Sequence, residues 1–320
     1  MKKLINKIQR ELKSSLISPF AKKITPPHNF SKAYADAKKI YLARYANFSY
    51  GNYVVPDWLK NIQAMEDAFL HNFHFNFLRL PVIRATMIVI STPSWKKNQL
   101  DYLESKLDTG TLKSMLTEYN VGKPILADFK YTTSTNSIHL LYHFIKFSSE
   151  LSVDLKNLST VIEFGGGYGD AAKIFKTINP QATYIITDLP IFSFVQLVYL
   201  QSIFGKEEVF LVNDVRDVQK GKINIIPFDA EKLSMLKEHV KSVDLFISTW
   251  ALSETPKQTQ DLIKSLNYFD TRYILMGYQK SNSDFTAAEN VKNVPADYTV
   301  RFNKETDYTP DSYYLFCEKK

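Results

Sequence analysis

The chain has 320 residues, 45% hydrophobic and 23% charged, which excludes an intrinsically disordered protein and leaves room for two domains or one large domain with an appendage. Its single cysteine, Cys317, excludes an internal disulfide framework and a multi-cysteine zinc site, and fits a reducing compartment with the cytoplasm as the default. The formal charge of +7 sits almost wholly in the first 24 residues, which net +6, so the body of the chain is nearly neutral and nucleic acid is not an expected partner.

Residues 1–24 place Leu4, Ile5, Ile8, Leu12 and Leu16 at helical spacing with lysines between them, the pattern of an amphipathic helix with a basic face. Lys7, Arg10, Glu11 and Lys13 interrupt every stretch that could serve as the apolar core of a secretory signal. Such a leader suits packing on the protein itself or on a twin subunit, or peripheral contact with an anionic inner-membrane surface. Up to residue 130 the pattern stays helical and rich in aromatics, with breaks at Pro26, Pro27, Pro56, Pro81, Pro93 and Pro124. A helix predicted over 137–147 carries His139 and His143 four positions apart, hence on one face.

From about residue 150, strands expected at 161–164, 183–187, 223–228, 243–248 and 272–276 alternate with helical stretches, which predicts a parallel sheet. The uncharged run 189–205 contains Pro190, Gln196 and other polar residues and reads as a buried helix. Nowhere does the chain reach the roughly 18 unbroken apolar residues of a membrane span. Two closing strands, at 298–302 and 313–317, have no room for a long helix between them, so at least one is expected to be antiparallel.

Glycine is scarce, ten in the whole chain, yet Gly165, Gly166, Gly167 and Gly169 fall within five positions between the strand at 161–164 and a helical run at 170–177. A strand that turns into a helix through glycines leaves backbone N–H groups uncovered and lets a ligand approach the main chain. Gly167-Tyr168-Gly169-Asp170-Ala171-Ala172 satisfies the G-x-G-x-x-A dinucleotide pattern, and Asp188 follows at the separation of a ribose-gripping acid. An NAD(P)-dependent oxidoreductase is therefore one reading. Glu163, two positions before the first glycine, favours another: a carboxylate there attracts a ligand's ammonium group and repels a pyrophosphate.

Over about residues 135–320 the chain resembles the S-adenosylmethionine-dependent methyltransferases of the seven-stranded type. Glu163-Phe164-Gly165-Gly166-Gly167-Tyr168-Gly169 is similar to the family's E-x-G-x-G-x-G motif, whose acid and loop amides hold the methionine part. Thr187-Asp188-Leu189-Pro190 resembles the end of the second strand, where the acid binds the ribose hydroxyls. Phe228, Asp229 and Ala230 stand where the family contacts adenine, with Asp214 as a competitor because 209–212 also reads as a strand. Segment 244–250 resembles the fourth strand and places Trp250 at the cofactor's edge. Within the superfamily the likeness is strongest to bacterial sugar O-methyltransferases, through the glycine motif and Tyr119-Asn120-Val121-Gly122-Lys123-Pro124 ahead of segment 134–142; the sequence departs from that family at Lys123.

The resemblance implies an α/β, Rossmann-like seven-stranded mostly parallel sheet with an antiparallel C-terminal strand. It would be preceded by a helical region, residues 1–130, acting as acceptor-site lid or dimer contact, with residues 131–320 as the S-adenosylmethionine-binding domain. It further implies O-methylation of a sugar or sugar-derived hydroxyl in surface-glycan or related metabolite synthesis, so the expected partner is a small-molecule or glycan acceptor. A methyltransferase-like binding module without activity is the non-enzymatic alternative.

Transfer of a methyl group to a hydroxyl needs in-line alignment and a base for the hydroxyl proton. Glu254, just past the fourth strand, is one candidate, and an acid capping the helix that begins at Pro256 is its bland reading. His139 is the other, preferred over His143 because Ser134, Asn136 and Ser137 beside it offer hydrogen-bonding groups. No metal is expected, since two histidines without a third ligand do not define a site.

Overall fold

The computed structural model describes residue 22, residues 30–89 and residues 92–320. Apart from Lys22, the basic leader expected over residues 1–24 lies outside the described residues. The helical region consists of α1 (Phe30–Arg44), α2 (Pro56–His71), α3 (Pro81–Thr86), α4 (Pro93–Lys106) and α5 (Thr109–Leu116). Pro56, Pro81 and Pro93, read from the sequence as breaks, each occupy the first turn of a helix, where the missing N–H costs nothing and the fixed φ is already helical. A short antiparallel hairpin, β1 (Leu126–Asp128) and β2 (Thr133–Ser134), leads into α6 (Thr135–Leu151). Ser134 caps α6 by accepting from the Ser137 amide at 3.1 Å.

The remainder winds a single sheet from β3 (Thr160–Phe164), β4 (Thr183–Asp188), β5 (Val209–Leu211), β6 (Ile223–Pro227), β7 (Leu245–Thr249), β8 (Tyr273–Gln279), β9 (Tyr298–Glu305) and β10 (Ser312–Lys319). The spatial order is β5-β6-β4-β3-β7-β8-β10-β9. Every pair from β5 to β8 is parallel, and β10 runs antiparallel to both β8 and β9. The sheet thus has the mostly parallel, Rossmann-like form with an antiparallel C-terminal strand. It has eight strands rather than the seven expected, because Val209–Leu211 adds a short edge strand beside β6.

Central strands of such a sheet are covered on both sides, so their sequences alternate between two apolar faces. Val161, Tyr184 and Ile186 belong to one core, with α6 (Thr135–Leu151), α7 (Asp170–Ile178) and α8 (Pro190–Phe204); Ile162, Ile185 and Phe246 belong to the other, with α9 (Ala230–His239) and α10 (Lys257–Ser265). The first core continues without interruption into the helical region. Tyr41 of α1 and Tyr45 just past its end meet Phe194 of α8 edge-on at ring distances of 5.2 and 5.5 Å. The helical region is therefore seated on the sheet's own cover helix, which holds the segments between α1 and α4 over the C-terminal ends of the parallel strands.

Candidate active site

Chain order reverses between β3 and β7: the chain winds outward through β4 and β6, then returns to build β7 and β8 on the other side. Ligands of doubly wound sheets bind outside the strand ends at such a switch point. A cavity of about 350 Å³ opens there, floored by the ends of β3, β4, β6 and β7 and roofed by residues 53–55, 58 and 85–89. That volume lies within the range of small-molecule sites.

Glu163, Gly165, Gly166, Gly167, Tyr168, Asp188, Leu189, Phe228 and Trp250 line it, together with Glu254, His139 and His143. The structure thus brings most of the sequence-derived candidates into one chamber. Gly169, Asp229 and Ala230 fall outside it. Gly169 caps α7 at φ +97° and packs against Leu200. Asp229, expected near adenine, spends its carboxylate on the N-terminus of α9, accepting from the Glu231 and Lys232 amides at 2.9 and 3.0 Å, and Ala230 begins that helix. Asp214, the competitor, is paired with Arg216 at the sheet edge, also away from the cavity.

The glycine loop is shaped by what surrounds it. Gly165 has φ +79°, and a Cβ there would lie 2.0 Å from the Ala251 Cβ; one on Gly166 would lie 3.0 Å from Glu163 Oε2. A Cβ on Gly167, at φ +55°, would make only ordinary van der Waals contact, with Met87 of the roof at 3.8 Å. The loop is therefore closed below by β7's connection and open above, toward the cavity.

Two acids flank it, Glu163 buried and Asp188 half-buried. Glu163 accepts from the Tyr184 hydroxyl at 3.0 Å, and burial pushes its carboxyl up to about 8 despite that hydrogen bond. Asp188 is pushed by burial up to about 7, opposed by the Leu189 amide and the Gln196 side chain, both donating at 2.8 Å. Gln196 also donates to the Gly167 carbonyl at 3.0 Å, while its own Oε1 is buried without a partner. Acids raised in this way are poised for a ligand that brings positive charge or further donors.

Behind the loop lies a buried ionic cluster. Lys173 Nζ meets Glu118 Oε2 at 2.8 Å and Asp170 Oδ1 at 2.5 Å. Asp170 Oδ2 accepts from Asn136, Ser137 and Tyr168 at 2.8–2.9 Å. Burial works against the Asp170 charge, but Lys173 and these hydrogen bonds outweigh it and hold the carboxyl below the usual range. Tyr168 and Ser137, expected to face a ligand, thus turn their hydroxyls to Asp170. Asn136 also lines the cavity and accepts from the Val89 amide at 3.2 Å, tying the roof to the cluster.

Glu254 follows a strained corner. Trp250 sits at φ +66°, its amide donating to the Gly277 carbonyl at 2.8 Å and its ring filling the space where a Gly277 side chain would be. Left-handed φ in a bulky residue persists where the surroundings enforce it, and it gathers at functional sites. Glu254 does not cap α10, whose N-cap, Pro256, receives no side-chain bond. Burial alone pushes its carboxyl up to about 7, where a general base works best near neutrality.

His139 is a different case. Gln99 Nε2 lies 2.9 Å from its Nδ1; an amide nitrogen only donates, so Nδ1 accepts and Nε2 carries the proton. Burial also pulls the imidazole down to about 3. The nitrogen lone pair that a base would use is already engaged, which removes His139 from that role. Among the described residues no group of three or more His, Cys, Asp or Glu is arranged to hold a metal ion, and no described helix is long and apolar enough to cross a membrane.

Sequence reading missed Glu118, Lys173, Tyr184, Trp95 and Tyr308, all of which act through partners distant in the chain. Lys173 alone gave a local signal, its i,i+3 spacing from Asp170 on α7.

Neither a protein-family model nor a curated protein sequence matches the chain. Among solved structures it is similar to magnesium protoporphyrin IX methyltransferase (ChlM) from Synechocystis PCC 6803 with bound SAM, 11% identical over 72% of this chain and 100% of that one, TM-score 0.40. It is also similar to an O-methyltransferase family protein from Burkholderia thailandensis, 11% identical over 74% and 76%, TM-score 0.39, and to the mitomycin 7-O-methyltransferase MmcR, 9% identical over 75% and 70%, TM-score 0.39. Scores of this size record a partial overlap of backbone, and the chemistry rests with the residues described above.

Proposed function

We propose that the protein is an S-adenosylmethionine-dependent O-methyltransferase acting on a hydroxyl of a sugar or sugar-derived compound. The observation that carries this reading is the placement of two acids with raised pKa, the buried Glu163 and the half-buried Asp188, on either side of a glycine loop that lines the cavity. Glu163 suits an ammonium group, Asp188 a pair of ribose hydroxyls, and Phe228 an adenine ring face. A Cβ on Gly167 would stand against Met87 of the roof and narrow the gap between loop and roof. When bound there, the donor supplies an electrophilic methyl: its bond to sulfur breaks as the acceptor oxygen bonds to carbon, leaving a neutral thioether.

Glu254 receives the acceptor's hydroxyl proton in this scheme. It lines the cavity, lacks a cationic partner and is held near 7 by burial, so a useful fraction is ionised at neutral pH. Trp95, Trp250 and Tyr308 supply ring faces for the apolar side of a sugar. The surface-glycan or related metabolite setting goes with that acceptor.

The nicotinamide alternative is disfavoured by charge. Glu163 lies beside the loop and the buried Asp170 occupies the first turn of α7, the place where a dinucleotide's pyrophosphate would need amides and no anion. Calorimetry separates the readings: S-adenosylhomocysteine should bind and NAD(H) should not. Binding of NAD(H) alone would establish the oxidoreductase, and binding of neither would leave the inactive module.

A further inference from the structure

Taking the cavity as a methyl-transfer site, the residues beyond the donor's end carry more than a general acceptor space. Trp95, His139, His143, Trp250 and Tyr308 line one end of the cavity as a continuous aromatic wall. Trp95 stacks on Tyr308 at 4.8 Å, the two histidine rings meet at 4.1 Å, and His139 lies over Trp250 at 5.8 Å.

The hydrogen bonds behind this wall bear on the form of both histidines. Gln99 donates to His139 Nδ1, so that imidazole carries its proton on Nε2. Tyr308 donates its hydroxyl hydrogen to the Tyr314 oxygen at 2.9 Å, which leaves the Tyr314 hydrogen available to its close partner, His143 Nδ1. His143 is taken in that same form, accepting at Nδ1 with its proton on Nε2. His143 Nε2 and Trp95 Nε1 are both buried with no partner among the described residues. An unsatisfied buried donor is costly, and a ligand that supplies acceptor oxygens removes that cost.

The charge of the wall narrows the ligand further. The titratable residues lining the cavity are Glu163, Asp170, Asp188, Glu254, the two histidines and Tyr53, Tyr168 and Tyr308, with no lysine or arginine among the described lining residues. The ionisable groups packed around the imidazoles are Tyr142, Tyr308 and Tyr314, none of which favours a charged ring. Burial keeps both histidines neutral, His143 further disfavoured by His139. A phosphate or carboxylate would enter a chamber lined by acids and by no described lysine or arginine.

We propose that the acceptor is an uncharged, polyhydroxylated ring held through its oxygens by the Nε2–H groups of His139 and His143, which act as fixed donors and not as bases. Phosphorylated, nucleotide-linked and uronate forms of the same ring are disfavoured, because no described lysine or arginine lines the cavity to receive their charge.

Two measurements on the full chain test this. Long-range proton–nitrogen spectra of histidine-labelled protein should show both imidazoles as neutral Nε2–H tautomers, unchanged from about pH 5.5 to 8. A midpoint near the ordinary histidine value in either, or an Nδ1–H tautomer, overturns the assignment. In the second measurement, label from methyl-labelled S-adenosylmethionine is followed into a neutral methyl hexopyranoside, its 6-phosphate and the matching uronate. The neutral ring should be labelled at least about tenfold faster than either anion. Faster labelling of an anion, or labelling of none of the three, overturns the proposal.

Substitutions separate donor from base. His143→Gln keeps an N–H and should retain most of the acceptor kcat/KM, whereas His143→Leu should lose about tenfold or more, chiefly in KM. Equal loss in both variants, carried by kcat, would return the histidine to a base role. S-adenosylhomocysteine affinity measured on the same preparation keeps the readings apart. If it binds while an anionic ring is preferred, only this inference fails; if it does not bind, the methyltransferase reading fails and the histidine spectra still stand.

Discussion

Tyr184 on β4 donates its hydroxyl hydrogen to Glu163 on the neighbouring parallel strand β3 across 3.0 Å, inside the sheet and beneath the glycine loop. This bond fixes one carboxylate oxygen without supplying positive charge, so the acid is ordered while remaining costly to ionise. Burial raises it from an ordinary 4.5 to about 8. The native chain therefore keeps a proton that the unfolded chain has released, and stability falls as pH rises from about 4.5 to about 8, the loss being complete above that. Glu163→Gln accepts the same Tyr184 hydrogen and removes the ionisation. It should melt higher than the parent at pH 8 and equally at pH 4, while S-adenosylmethionine affinity drops roughly 10–100-fold through loss of a charge-assisted bond. Unchanged affinity would detach Glu163 from the donor.

Donor affinity should itself follow pH. A cation that requires the Glu163 carboxylate must displace its proton below about pH 8, so the dissociation constant should rise by up to roughly tenfold for each pH unit below that value. The Gln variant should lose this slope. Calorimetry in buffers of different ionisation enthalpy would show the released proton directly, and binding without proton release near pH 7 would contradict the linkage.

Glu254 has burial as the sole cause of its shift to about 7, with no cation to tether its titration. The rate at saturating donor and acceptor should climb with pH to a plateau with an apparent midpoint near 7 if Glu254 takes the acceptor proton. Glu254→Gln should abolish that limb and lower kcat by about 10²–10⁴-fold with donor affinity intact. A variant of full activity would show that the hydroxyl needs no base from this position.

How much of this was legible in the chain depends on how local each feature is. The glycine loop, Glu163 and Asp188 are strand-end features, set by residues within a few positions of one another, and sequence spacing located them. The eighth strand was ambiguous because Val209–Leu211 is only three residues long, too short for periodicity to distinguish from a loop. Asp229 was misplaced for a physical reason: an acid before a helix is attracted first to the helix amides, and capping competes with ligand binding for the same carboxylate. His139 could not be judged from sequence, since its role turns on Gln99, 40 positions earlier. The Glu118–Lys173 pair spans 55 positions, and only the fold brings it together.

That pair should matter more for stability than any surface bridge. Lys173 and Glu118 are buried, and Asp170 shares the same ammonium. Lys173→Met would remove the ammonium that the buried Glu118 and Asp170 share, a change that costs about 3–5 kcal/mol when one partner of a buried pair is removed. The loss should be smaller at low pH, where protonation relieves the stranded acids, and larger at pH 8. Glu118→Gln in the same background should restore part of it. Denaturant midpoints of the single and double variants would measure the coupling, and strictly additive effects would mean that the cluster is not one unit.

Gly165 and Gly167 both hold left-handed φ, yet they should respond to substitution in opposite ways. A methyl on Gly165 would sit 2.0 Å from the Ala251 Cβ at φ +79°, so Gly165→Ala must displace the corner that carries Trp250 and Glu254. The sum of overpacking and strain is about 2–4 kcal/mol, and the melting temperature should fall with it. Gly167→Ala meets nothing closer than Met87 at 3.8 Å, so it costs about 1–2 kcal/mol in backbone strain alone. Its methyl instead stands in the space between loop and roof, where the donor's methionine part is placed by the reading above. Thermal melts and S-adenosylhomocysteine titrations of the two variants should therefore separate, with Gly165→Ala losing chiefly stability and Gly167→Ala chiefly affinity. Two variants with the same affinity as the parent would place the ligand elsewhere in the cavity, since no donor held by this loop could ignore a methyl group raised against it.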